Sequence, residues 1–166
     1  MKNNKKLLIT FIIVTVIAIL IDGYIIMHSC FNGNISSSSS GRAVAVLKAI
    51  INVFHQNTIN ESNIGVFTIV VRKLIGHFGF FLIAGFFNTW SLYLAQKEYY
   101  EKQLFIFIMV VLTIGFVFAS STEFIQTFVP GRSGDYKDTL IDFSGYCLGA
   151  TIIMIVPPII HKIKKK

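Results

Sequence analysis

LFIFIMVVLTIGFVFASS, residues 104–121, runs for eighteen positions without a charged side chain. A helix that crosses a hydrocarbon layer of about 30 Å needs roughly 18 or more such residues. The stretch is continuously apolar and does not alternate, so it reads as a helix and not as a barrel strand. Three other stretches share the character: 7–27, interrupted by Asp22 and Gly23, then 74–95 and 139–156. Proline has no N–H to donate, so Pro157-Pro158 is expected to end the last helix. The fold class is therefore all-α: one polytopic membrane domain over 1–166, with four transmembrane helices and an outer segment at 28–72.

Composition points the same way. Hydrophobic residues make up 54% of the 166 residues and charged residues only 14%. Soluble domains carry about 25% charged residues, so this chain lacks the charge to cover a surface facing water. The formal net charge is +7, yet the cations lie between apolar runs and form no surface stripe, which sets nucleic acid aside as a partner. Two cysteines make no disulfide framework. The N-terminus resembles a signal peptide in its Lys2, Lys5 and Lys6. Its apolar run is longer than the usual 7–15 residues and no A-x-A-like site follows, so a retained span is expected. With the N-terminus inside, nine Lys lie in cytoplasmic segments and six Lys or Arg in outer ones, which predicts both termini in the cytoplasm.

The outer segment divides in two. Residues 32–41, with five serines in a row, are expected to form a flexible linker. Residues 43–56 have helical periodicity, with Lys48, Asn52 and His55 as a narrow polar stripe. That amphipathic helix is expected either to lie in the membrane interface or to cap the bundle.

Ionisable residues inside apolar runs are costly, and they mark functional sites unless they pair. Lys73 and His77 are four apart at the outer end of the second span, hence on one helix face. Glu123 and Gln126 follow the third span and share a face if the helix continues. Asp138 and Asp142 open the fourth, with Gly145 and Gly149 as a helix-packing stripe below them. Asp22 sits five residues from the outer end of the first span, about 7 Å deep at the rise of an α-helix. Asn88 lies deeper, on the stripe of His77, as an interhelical hydrogen-bonding residue. Plainer roles exist for several of these. Asp138 is a candidate N-cap, Arg72 and Lys73 can snorkel to headgroups, and Pro130-Gly131 reads as a turn that anchors Arg132. Enzyme motifs such as G-x-S-x-G, Walker A and H-E-x-x-H are missing. No metal-ligand spacing is present either, so neither a metal nor a cofactor is expected.

At these residues the chain resembles the VanZ-like membrane proteins, a family named for a teicoplanin-resistance accessory protein of enterococci. The first block is Arg72-Lys73-Leu74-Ile75-Gly76-His77-Phe78, then Phe81 and Gly85, against a family pattern of R-K-x-x-H-F, an aromatic residue and a glycine. The second is Glu123-Phe124-Ile125-Gln126-Thr127-Phe128-Val129-Pro130-Gly131-Arg132, followed by Asp138, Asp142, Gly145 and Gly149. It resembles E-x-x-Q-x-F-x-P-G-R and then D-x-x-x-D/N-x-x-G. Many relatives place an acidic residue before the glutamate and a histidine before the glutamine, where this chain has Thr122 and Ile125. Asp22 belongs to neither block.

The resemblance implies a bacterial cytoplasmic membrane protein with a part in resistance to teicoplanin-type glycopeptides. For the cluster itself two mechanisms stand beside a third reading, a structural packing cluster with no ligand. In the first, a non-catalytic factor binds a membrane lipid, a cell-wall precursor or a lipoglycopeptide through Arg72, Lys73, His77, Glu123, Gln126, Arg132, Asp138 and Asp142. In the second, an outer-leaflet enzyme acts on a lipid headgroup, with Glu123 or Asp142 as base, His77 as acid and Arg132 as charge stabiliser.

Overall fold

The computed structural model describes residues 2–55 and 58–164, which are mostly helical, with no strand among them. In order they form α1 (Lys2–Ser29), α2 (Gly33–Phe54), α3 (Ile64–Val71), a π-helical segment (Arg72–Gly79), α4 (Phe80–Ala95), α5 (Lys97–Lys102), α6 (Leu104–Gln126) and α7 (Tyr136–Lys164). Among the described residues, four helical stretches are long and apolar enough to cross a membrane: Lys5–Ser29, Ile64–Ala95, Leu104–Gln126 and Tyr136–Val156. The chain is an all-α, multi-pass membrane helix bundle. Large apolar side chains such as Leu20, Phe105 and Val117 are more than half exposed, as a lipid-facing surface requires.

The bundle is built around α7, which packs on α4 and α6, while α1 packs on α4. Lipid tails are as apolar as leucine, so helix association in a membrane relies on close packing and hydrogen bonds. The expected glycine stripe supplies the close packing. A Cβ on Gly145 would strike the backbone of Phe78, one on Gly149 the backbone of Leu82, and one on Gly85 the backbone of Tyr146. Tyr146 is fully buried and its ring lies against Gly115 of α6. Hydrogen bonds hold α1: the Asn88 amide donates to Asp22 Oδ1 at 3.1 Å, and Thr15 and Ser91 share one at 2.7 Å. Asn88 is thus the interhelical residue that its position suggested, and Asp22 serves as its partner.

Three expectations fail, each for an identifiable reason. The serine-rich stretch is helical, not a linker, because α2 runs from Gly33 to Phe54. Gly33 N–H donates to Pro130 O at 3.1 Å, Ser36 is buried, and Ser40 Oγ returns to Ser36 O at 2.9 Å. Tertiary contacts override the weak local preference of serine. Beyond it, α2 packs chiefly on α3, with Val53 and Phe54 more than three-quarters exposed. Asn52 ties back the following turn, donating to Ile59 O and accepting from Ile59 N.

The second span does not begin at Leu74. Helix is continuous from Ile64, so Arg72 and Lys73 lie within it. IGVFTIVV, residues 64–71, is apolar in its own right, and Asn60 and Asn63 close a turn in front of it. A charge inside the helix is tolerated because Lys73 has a carboxylate partner, described below.

The third failure concerns the proline pair, which α7 passes to reach Lys164. Pro158 cannot donate to Met154 O four residues back. The Tyr100 hydroxyl donates to that carbonyl instead, at 2.8 Å. A Tyr100→Phe variant should therefore lose about 1 kcal/mol, the usual net worth of one hydrogen bond. Thermal unfolding in detergent measures it; an unchanged midpoint would show that Met154 O needs no such donor.

Candidate functional site

The end of the bundle where α1 and α6 finish and α7 begins gathers polar side chains from several elements. His77 comes from the π-helical segment, where each turn takes in one more residue than an α-turn. Its Nδ1 lies 3.0 Å from Asp142 Oδ1 and 3.7 Å from Glu123 Oε1. On the other side of the ring, Nε2 lies 3.8 Å from Asp138 Oδ2. The Lys73 ammonium, on the same helix face, pairs with the Asp138 carboxylate. His77, Glu123 and Asp142 are 8%, 4% and 1% exposed, so solvent hardly screens these contacts.

Glu123 and Gln126 share a face because α6 continues to Gln126, beyond the apolar run. Gln126 Nε2 donates to Glu123 Oε1 at 2.8 Å, and Asp135 N–H donates to Glu123 Oε2 at 3.0 Å. Both oxygens of that carboxylate are fixed. Asp142 is different, since its Oδ2 has no hydrogen-bond partner among the described residues. The capping role considered for Asp138 belongs to Asp135, whose Oδ1 accepts from Lys137 N–H at 2.9 Å at the start of α7. That leaves Asp138 for Lys73.

A turn forms the rim. Gly131 has φ +75°, the left-handed value needed at the third position of a type II turn, and Arg132 N–H closes it on Val129 O at 3.1 Å. The turn anchors Arg132, as expected, and its Nη1 donates to His28 O at 3.0 Å. Burial, and then the nearby Arg72 guanidinium, pull the Arg132 pKa below the usual arginine range. The Glu123 and Asp138 carboxylates act in the opposite direction, so Arg132 lies within electrostatic reach of both Arg72 and the acidic cluster. A cavity of ≈ 50 Å³ runs past Arg72 and Arg132 down to His77 and Asp142. A second, of ≈ 180 Å³, lies between Arg72, Gln126, Arg132 and Asp138.

The structure thus brings Lys73, His77, Glu123, Gln126, Asp138 and Asp142 into one cluster and sets Arg72 and Arg132 above it. Reasoning from sequence missed His28, Ser29, Ser36 and Ser40, which line the smaller cavity. The four-residue spacing of Ser36 and Ser40 was the available signal for those two, once the serines are read as helix. Ligand spacing along the chain could not have revealed a metal-capable set, because the donors come from three separate helices. Donor atoms of His77, Glu123 and Asp142 all lie within 4.8 Å of one another. Chemically, an imidazole beside two carboxylates can hold or move a proton, and the arginines can receive an anion.

A model of the family described as VanZ/LLP1 matches residues 9–157. No curated protein and no solved structure matches the chain.

Proposed function

The chain belongs to the VanZ/LLP1 family, and on that premise we propose that it is a resistance factor against teicoplanin-type glycopeptides. It works at the outer face of the bacterial cytoplasmic membrane, with both termini in the cytoplasm. Its site binds the phosphate-bearing headgroup of a membrane lipid or cell-wall precursor. One observation carries this reading: Arg72 and Arg132 line the same two cavities above a buried polar cluster. Two guanidiniums that line the same cavities can share one anion, and arginine meets phosphate through paired hydrogen bonds. A teicoplanin-type drug with a lipid tail acts at the membrane surface, where such a factor could alter access to the target.

The test is headgroup binding by purified protein, read beside teicoplanin susceptibility of cells that express it. Arg132→Ala removes a charged donor worth about 1.5–3 kcal/mol, so binding should weaken by about 10- to 150-fold. Arg132→Lys should restore only part of it, because an ammonium lacks the planar fork. Unchanged phosphate-lipid binding and unchanged susceptibility in Arg132→Ala would sink the proposal. Binding of the drug itself, without phosphate lipid, would redirect it to the antibiotic.

The contact of His77 Nδ1 with Asp142 and Glu123 favours a second reading, an acid–base enzyme acting on the same headgroup. Headgroup turnover that disappears in Glu123→Gln while binding persists would select it.

A further inference from the structure

We propose that His77, Glu123 and Asp142 form a binding site for a divalent transition metal, with Zn²⁺ as the best-matched ion. This site stands on its own geometry and does not depend on the headgroup reading. One imidazole nitrogen and two carboxylates are a donor set that zinc takes, and three protein ligands leave a fourth position open. Donor atoms of a tetrahedral zinc site, at bonds of about 2.0–2.2 Å, lie about 3.4 Å apart. The distances from His77 Nδ1, 3.0 Å to Asp142 Oδ1 and 3.7 Å to Glu123 Oε1, bracket that value.

Independent support comes from Asp142. It is 1% exposed, yet its Oδ2 has no hydrogen-bond partner among the described residues. A buried carboxylate oxygen in that state is costly, and a cation beside it removes the cost. Charge balance agrees. Lys73 is engaged by Asp138, and among the described residues His77 is the one cation-capable side chain within 4 Å of Glu123 and Asp142, with Arg132 farther out on the rim. A dication offsets both carboxylates.

Groups of the kind that orient metal ligands surround the set, although the His77 contact is longer than a hydrogen bond. His77 presents its other ring nitrogen towards the Asp138 carboxylate at 3.8 Å, and Glu123 is held by Gln126 and the Asp135 amide. The ≈ 50 Å³ cavity that reaches His77 and Asp142 is large enough for a water molecule at the open position.

The experiment uses the full chain, purified in detergent, stripped with a chelator and titrated with Zn²⁺. About one ion per chain should bind and raise the unfolding temperature. His77→Ala and Asp142→Asn should weaken binding by more than about 100-fold, beyond the 10–100-fold typical of outer contacts. The Cys30→Ser/Cys147→Ser variant should bind as wild type, which excludes the free thiols as the source. Co²⁺ should give visible absorption bands in the wild type that Glu123→Gln alters, a signature that a packing role would not produce. If Asp142→Asn does not fold, Glu123→Gln decides by the same titration. Metal content no higher than a chelator-treated blank, or equal content in wild type, His77→Ala and Glu123→Gln, overturns the site.

Discussion

A Gly149→Leu variant is expected to leave almost no monodisperse protein in detergent, and Gly149→Ala to lower stability by about 1–3 kcal/mol. A Cβ at Gly149 falls on the carbonyl of Leu82 and close to the amide nitrogen of Phe86, and backbone atoms cannot rotate away as a side chain can. Relief requires α7 to move off α4, across the largest helix interface of the bundle. Gly85 meets Tyr146 from the opposite helix of the same pair. Gly85→Ala should therefore cost a similar amount. The double alanine variant should cost less than the sum, because one separation relieves both clashes. A Cβ at Gly23 would meet nothing within 4 Å, so Gly23→Ala should be neutral or slightly stabilising. Size-exclusion profiles and thermal unfolding distinguish these outcomes. A Gly149→Leu protein as stable as Gly23→Ala would show that α4 and α7 do not rely on this contact.

The interface was legible because small residues spaced by four along an apolar run have few other uses. The spans were legible for a related reason: a residue that cannot face water identifies its own surroundings. The same logic exposed the cluster, since His77, Glu123 and Asp142 are conspicuous within or beside apolar stretches. Partners were harder to read. Sequence placed these groups near one end of the bundle but could not say that His77 touches Asp142 or that Asp135, rather than Asp138, caps α7. Those facts depend on helix rotation, which a turn of π-helix at Arg72–Gly79 changes and no propensity scale anticipates.

The failures share a cause. Charges at Arg72 and Lys73, serines before Gly41 and prolines at 157 and 158 are ordinary signals for the end of a helix. In each case a distant group reverses the signal. Asp138 pairs with Lys73, Pro130 O receives the first amide of α2, and the Tyr100 hydroxyl takes the carbonyl that Pro158 leaves open. Local rules read correctly what the chain does alone. They miss what another helix supplies.

The largest functional effect should come from His77. Replacing it with Leu removes the imidazole that, among the described residues, lies between Glu123, Asp138 and Asp142, and leaves largely buried carboxylates facing one another. Breaking a buried pair in this way costs about 3–5 kcal/mol. Asp142→Leu should sit at the lower end of that range, because His77 keeps Glu123 at 3.7 Å and Asp138 at 3.8 Å. The double His77→Leu/Asp142→Leu variant should recover much of the loss, since it removes both the imidazole and the carboxylate with the unpartnered oxygen. Glu123 remains held by Gln126 and the Asp135 amide. This cycle separates stability from activity. The double variant should reach the membrane in near-normal amounts and still give no protection against teicoplanin. A double variant that folds and protects as well as the wild type would show that the polar cluster does not carry the phenotype. A double variant no more stable than His77→Leu would show that Glu123 and Asp138, not Asp142, are the principal partners of the imidazole.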